Sequence, residues 1–447
     1  MSTRTLQHIC LISPKRDQWS KTGKIRDVLE KNNRYLKAWY APNLSLLTIA
    51  GITPADIKIT YIDEDFESID FNAKYDLVGI SAMTQQIVRG YEIASEFRER
   101  NIFVVIGGIH STVMPEEALQ YADAVFIGES ERTWLHFLND YRNNIEKRIY
   151  KQDKDTLPDL QHVVLPQYDI IKDKNYFKDP NYFYNMIPIQ AGRGCPHDCE
   201  FCLVSKIYGK KYRMKRIDQI KLEINEIKKY FPNRLIMFAD DNLFINRKFS
   251  KELLNEIKEL NIRWVAQSDI SIGDDDELLE LIYQSGGLFL LVGFESIDPD
   301  NLRNLNKSSW KYKQLLNYKK NIDNIQKHGI IVFGSFIFGL DNDDDSVFKG
   351  VVDFMHGNFL TGQLTIATPL PGTDLLGRLK NENRLLVKEP FWDKCTFFDV
   401  LYQPKKMTVD ELENGFIWAY GQLFNEDSFK KRADYLKDIY KGIDKQS

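Results

Sequence analysis

The chain has 447 residues, 43% of them apolar, more than one hydrophobic core accommodates, so two or three globular domains are expected. Its 60 basic and 64 acidic side chains give a formal charge of -4 with the signs interspersed, which leaves no broad cationic face for nucleic acid or an anionic membrane. Five cysteines in so long a chain exclude a disulfide scaffold and fit a reducing compartment; with no secretory leader and no apolar run of about 18 residues, a cytoplasmic protein without an integral membrane segment is expected.

From the N-terminus to residue 142, short apolar runs alternate with amphipathic ones, as a parallel sheet flanked by helices requires. Strands are predicted at His8 to Ile12, Ile57 to Ile62, Leu77 to Ser81, Val104 to Gly107 and Ala124 to Ile127, with helices at Gln86 to Arg100 and Thr133 to Tyr141. Five such strands suit a flavodoxin-like sheet, whose ligands bind at the carboxyl ends of the strands. Those ends read SAMT (Ser81 to Thr84), GGIHST (Gly107 to Thr112) and GES (Gly128 to Ser130). Gly107 and Gly108 allow close approach of a ligand, and Ser81 and Thr84 offer hydrogen bonds. The segment Lys15 to Lys37 carries eight Lys or Arg against three acids, and reads either as a solvated, partly helical surface or as a flap over the cleft.

Taken together, VGISAMTQQIVRGYEIASEFRERNIFVVIGGIHSTVMPEEAL and ADAVFIGESERTW resemble the cobalamin-binding domain that precedes many radical S-adenosylmethionine (SAM) cores. The resemblance implies cobalamin contacts at Ser81, Met83, Thr84, Gly107, Gly108, His110, Gly128 and Glu129. One departure matters. Cobalamin domains that ligate cobalt from below carry Asp-x-His-x-x-Gly after the first strand, whereas Ser13 to Gly23 contains no histidine. A lower imidazole from that place is therefore excluded, and His110 reads as a polar contact in the cleft or a turn residue.

A linker (residues 143–184) with Pro158 and Pro166 precedes a second alternating series (residues 185–378). Its strands are predicted at Met186 to Gln190, Leu235 to Ala239, Trp264 to Ser268, Phe289 to Phe294, Ile331 to Phe338 and Leu364 to Ala367, alternating with amphipathic helices. Six parallel strands predict a partial (β/α)6 barrel with its functional loops at the strand ends. Just after the first strand comes GRGCPHDCEFC, with Cys195, Cys199 and Cys202. Three thiolates hold a four-iron cluster while leaving one iron open, and the C-x3-C-x2-C spacing resembles the radical SAM signature, in which SAM fills that place. Gly192 and Gly194 are expected to let the backbone approach the cofactor. The alternative is a Cys3His zinc shell completed by His197, although structural zinc sites usually pair two ligand clusters and no second one exists.

Later strand ends carry groups suited to SAM. Asp240, Asp241 and Asn242 can accept from its ammonium, Ser268 is a polar group at the end of the third strand, Glu295 can grip the ribose, Gly334 leaves space beside adenine, and Phe201 lies within the cysteine loop. Each has a duller reading: Asp240 and Asp241 as helix caps, Gly334 as a bulge. TPLPGT, Thr368 to Thr373, reads as a rigid turn closing the barrel. FADDN, VGFESIDPDNL, GSFIFGLDNDDDSVF and TPLPGTDLLGRL, in this order, resemble the cobalamin-type radical SAM group that includes hopanoid methylases and an oxidative cyclase of bacteriochlorophyll synthesis.

Residues 379–447 form a helical extension rich in aromatics: Phe391, Trp392, Phe397, Phe398, Tyr402, Phe416, Trp418 and Tyr420 read mostly as core, with some available to wall a pocket. The resemblance implies a [4Fe-4S] cluster, SAM and cobalamin, a 5′-deoxyadenosyl radical, and C-methylation of an unactivated carbon in a secondary metabolite or lipid-like molecule. Its partners would be a small-molecule substrate and a reductase or flavodoxin/ferredoxin electron donor. Radical cyclisation, oxidation or rearrangement is the alternative chemistry, and a non-catalytic metal-binding module the alternative class. A methylthiotransferase would need further cluster cysteines near the N-terminus, where only Cys10 is found.

Overall fold

The computed structural model describes residues 3–16, 19–31, 41–153, 157–162, 164–174 and 186–444. The first sheet contains β1 (His8–Ser13), β2 (Lys58–Asp63), β3 (Leu77–Ser81), β4 (Phe103–Gly107), β5 (Ala124–Ile127) and β6 (Ile149–Lys151), all parallel, in the order β2-β1-β3-β4-β5-β6. Strands covered on both faces are apolar throughout, and LVGIS of β3 is buried at every position. The sixth strand falls inside the stretch read from sequence as linker. The order reverses between β1 and β3, and a ligand crevice is expected at such a switch point.

The second sheet follows strictly in sequence. Here β7 (Met186–Ile189), β10 (Leu235–Phe238), β11 (Trp264–Ser268), β12 (Gly287–Glu295), β13 (Ile331–Phe338) and β14 (Thr361–Ile366) pair as parallel neighbours, β7 and β14 at the edges. Between β7 and β10 lies a short antiparallel ribbon, β8 (Gly192–Arg193) with β9 (Arg213–Met214). The helices bury their apolar stripes on the sheet. Ile220, Ile224 and Ile227 do so in Ile217–Tyr230, and Leu253, Leu254 and Ile257 in Arg247–Ile257.

The extension packs rather than lines. Phe391, Trp392, Phe398, Tyr402, Phe416 and Tyr420 are buried, and Trp418 is on the surface. None of the eight aromatics borders the large cavity described below, so the core reading holds there. Helix Val409–Leu423 packs on Ser346–Gly357 and on Gly23–Lys31. Asp399 accepts hydrogen bonds from Ser20 Oγ (2.8 Å), Lys21 N (2.9 Å) and Thr22 N (2.9 Å). The described part of the basic segment is thus clamped to the extension with Ile25 and Leu29 buried, which is not the arrangement of a flap. Residues 17, 18 and 32–37 of that segment lie outside the described residues.

Candidate functional site

The cysteine loop leaves β8 and passes between two supports. Cys195 N donates to Gly209 O at 3.2 Å on one side, and Glu200 N to Leu305 O at 3.0 Å on the other. The glycines before it serve this packing. A Cβ at Gly192 would lie 2.5 Å from the Tyr212 ring, and one at Gly194, where φ is +102°, would collide with Lys211 O. They admit the neighbouring backbone of residues 211–213, a correction to their expected role beside a cofactor.

All three cysteines are free thiols. Burial pushes Cys195 up to about 11, Cys202 up to about 12 and Cys199 upward as well, and proximity of the thiols to one another contributes at Cys195 and Cys202. Lys311 opposes the shift at Cys199. Ligation therefore depends on a metal's own positive charge to hold the thiolates. Among the described residues no three His, Cys, Asp or Glu side chains gather around a point suited to one ion. His197 instead lies 4.5 Å, ring to ring, from Trp310. Three thiols with the imidazole turned aside fit a cluster, in which each cysteine binds a different iron, better than a Cys3His zinc shell.

The two adjacent carboxylates after β10 behave differently. Asp240 is fully buried and accepts from Ala191 N (2.8 Å), Gly192 N (2.6 Å) and Tyr212 OH (2.8 Å). It fastens the start of the cysteine loop and, unlike Asp241, does not line the large cavity, a correction to its expected role at a ligand ammonium. Asp241 lines the large cavity, and among the described residues it has no side-chain donor or cation partner. Burial, with Asp240 beside it, pushes its carboxyl up to about 7. Asn242 is engaged by Asp269 Oδ2 at 2.6 Å and by Phe244 N at 3.0 Å. Ser268 Oγ donates to Asp269 O at 2.9 Å.

Glu295 sits at a register shift in β12 with φ of +65°. A bulge re-aims its side chain, and Gly293 supplies the room, because a Cβ there would collide with the Glu295 carboxylate. Lys311 Nζ donates to Gly293 O (2.6 Å) and Glu295 Oε1 (2.8 Å), a largely buried ion pair within electrostatic reach of Cys199. Gly334 is a further correction. It alternates in phase with Val332, Phe336 and Phe338, and a Cβ there would meet the Phe336 and Phe294 rings at 3.0 and 3.3 Å. It faces the helix layer instead of the barrel interior. Phe201 is partly buried against the main core. In TPLPGT, Thr373 caps helix Asp374–Asn381 through Leu376 N, and Gly372 packs against Val113 of the first domain.

A cavity of about 560 Å³ joins the two sheets. From the first it is lined by Ser81, Met83, Gly107, Gly108, Gly128 and Glu129, and from the barrel by Pro188, Gln190, Met237, Ala239 and Asp241. A further wall is helix Leu44–Ile52, capped by Asn43, which the strand-end motifs did not reveal. Gly108, at φ +101°, passes so close to β3 that a Cβ would lie 2.7 Å from Ala82 O. Thr84 and His110 lie outside the lining. They are buried behind it, 3.4 Å apart, with His110 Nε2 3.3 Å from Glu117 Oε1 and its ring 5.5 Å from that of Trp392. His110 is thus a packed link to the extension, not a cleft contact. Glu129 borders the cavity, but its carboxylate is taken by Arg193 at 2.6 Å and by Arg213.

Two family models match: the B12 binding domain over residues 41–138 and the radical SAM superfamily over residues 189–355. Bacteriochlorophyllide d C-8(2)-methyltransferase of Chlorobaculum tepidum is 32% identical over 361 residues, 79% of this chain and 78% of that protein. The chain belongs to the B12-binding radical SAM family. Within it, bacteriochlorophyllide d C-12(1)-methyltransferase of the same organism is 29% identical over 395 residues, covering 87% of this chain and 84% of its own length. The methyltransferase TsrM of Kitasatospora setae, solved with cobalamin and a [4Fe-4S] cluster, shares the fold with a TM-score of 0.67 at 14% identity, over 95% of this chain and 90% of its own. The chain is accordingly a radical SAM enzyme of the cobalamin-dependent methyltransferase family. Among the described residues no helix is long and apolar enough to cross a membrane.

Proposed function

We propose that this enzyme methylates an unactivated carbon of a secondary metabolite or lipid-like molecule, using a [4Fe-4S] cluster, SAM and cobalamin. The observation carrying the reading is the shared cavity: the ends of β3, β4 and β5 and the mouth of the barrel beside the cysteine loop border one space. When bound, the cluster and SAM supply a carbon-centred radical by one-electron cleavage, and cobalamin supplies the methyl group.

Cys195, Cys199 and Cys202 are the cluster ligands in this reading. Asp241, whose carboxylate has no side-chain donor or cation partner among the described residues, receives the SAM ammonium, and Glu295, re-aimed by the bulge and held by Lys311, receives the ribose. Phe201 and Ser268 border the same cofactor. Ser81, Met83, Gly107, Gly108 and Gly128 form the cobalamin floor, where small residues admit a large planar ligand. Their contribution is binding, orientation and exclusion of water, not acid or base catalysis. The likeness to two bacteriochlorophyllide d methyltransferases supports a large, lipid-like substrate.

The test is anaerobic reconstitution with iron, sulfide and cobalamin, followed by reductant and SAM. Deoxyadenosine together with S-adenosylhomocysteine supports methylation. Deoxyadenosine alone assigns cyclisation, oxidation or rearrangement. Neither product, with stoichiometric zinc in place of iron, overturns the radical reading, and Cys199→Ala serves as the blank.

A further inference from the structure

We propose that the outer rim of the cysteine loop is the docking surface for an acidic one-electron carrier protein. The inference rests on the proposed function, because a cluster held by Cys195, Cys199 and Cys202 must be reduced from outside. The carrier loses one electron and the cluster gains it; no bond forms or breaks and no proton needs to move.

The loop lies at the surface between residues 209–211 and 305–311, through the hydrogen bonds from Cys195 and Glu200 already described. Its outermost residue is Pro196, which is exposed, and next to it the half-buried His197 ring packs against Trp310 at 4.5 Å, tilted by 39°. Asn306 reaches Cys199 Sγ at 4.0 Å from the opposite side. Pro196 and His197 of this small centre lie in sequence between two cluster ligands, Cys195 and Cys199.

Charge surrounds it asymmetrically. The acids of this face are each neutralised: Asp198 by Lys210 at 2.8 Å, Asp374 by Lys206 at 2.9 Å and Glu200 by Arg378 at 2.8 Å. Lys211, Lys307 and Lys313 are exposed, and none has an ion pair or side-chain hydrogen bond among the described residues. Lys211 supplies the carbonyl against which Gly194 packs, Lys307 follows Asn306, and Lys313 stands three residues after Trp310 on helix Trp310–Gln314, on the same face. Three uncompensated lysines thus flank the cysteine loop. Weak redox encounters use small interfaces of this kind, steered by complementary charge. The rim selects an acidic partner, although the chain as a whole is itself slightly acidic.

The test uses the reconstituted full-length protein and a flavodoxin of net negative charge. Association of the oxidised flavodoxin is measured at about 50 and about 200 mM salt, and reduction of the cluster is followed with flavodoxin hydroquinone and separately with dithionite. The triple variant Lys211→Glu, Lys307→Glu, Lys313→Glu should weaken association about tenfold or more at low salt, with a smaller loss for the corresponding Gln triple. Reduction by dithionite should be unchanged in both. Charge reversal at Lys248, Lys349 and Lys430, on the outer helices, should leave association within about twofold. Wild-type affinity in the Glu triple, or association indifferent to salt, overturns the proposal. A wild-type protein in which dithionite produces no reduced-cluster EPR signal instead removes the radical reading, and the need for docking with it.

Discussion

Glu129, just beyond β5, holds Arg193 at 2.6 Å across the junction of the two sheets, two residues before the first cluster cysteine. Arg193 also meets Glu131 at 2.5 Å and Gln190 at 2.7 Å, while Arg213 on the paired strand takes the second oxygen of Glu129. The Glu129 side chain is 2% exposed. Removing one member of a buried charge cluster leaves the others desolvated and unpaired, at a cost of about 3–5 kcal/mol. Glu129→Gln, which keeps the volume, is therefore expected to lower the denaturation midpoint and the iron retained after reconstitution. An unchanged midpoint and iron content would show that the clasp contributes nothing.

Gly108 makes a second, steric prediction. Its φ of +101° disfavours any side chain, and a Cβ would press on Ala82 O and Ala82 N at 2.7 and 2.9 Å. Both are backbone atoms of the chain leaving β3, so relief requires the strand ends to separate at the cavity floor. Gly108→Ala is expected to cost about 1–3 kcal/mol from backbone strain alone and to abolish cobalamin retention. Retention of corrin absorbance after gel filtration at the wild-type ratio would remove Gly108 from the floor.

Legibility from sequence followed burial. The central strands were readable because parallel strands covered on both faces are unbroken apolar runs, as in HICLIS and LVGIS. β6 was not, because IYK buries only Tyr150. Helix Leu44–Ile52, a wall of the cavity, is apolar on all sides and shows no 3.6 period; the one available signal was Asn43, which caps it at Leu46 N. Nearness to a strand end does not place Gly334, because the two-residue phase of the strand turns it outward with Phe336. The cysteines needed no structure, since their spacing is local.

Asp63 predicts a pH dependence. The carboxyl at the end of β2 is buried, and burial, reinforced by Asp65 and opposed by Arg16, pushes it up to about 7 from its ordinary 3.8. The folded protein then binds a proton that the unfolded chain releases between about pH 4 and 7, so stability falls as pH rises through that window. Asp63→Asn should flatten this part of the profile and be the more stable form at pH 8. Parallel melting profiles for the two proteins from pH 4 to 8 would contradict the assignment.

Asp240 and Asp241 carry the sharpest test, because one motif holds two carboxylates that sequence cannot tell apart. Asp240 accepts from Ala191 N, Gly192 N and Tyr212 OH, so its loss strands two buried N–H groups at the start of the cysteine loop. Each stranded donor costs about 1–3 kcal/mol, and Asp240→Ala should melt earlier and retain less iron. Asp241 supports no neighbour among the described residues, and Asp241→Asn relieves a desolvated charge. Its melting point should hold or rise, whereas a charge-assisted hydrogen bond to SAM would be lost, raising the SAM dissociation constant about tenfold or more. Asp241 matters for the ligand and Asp240 for the frame; equal losses of stability in both, or undisturbed SAM affinity in Asp241→Asn, would break that division.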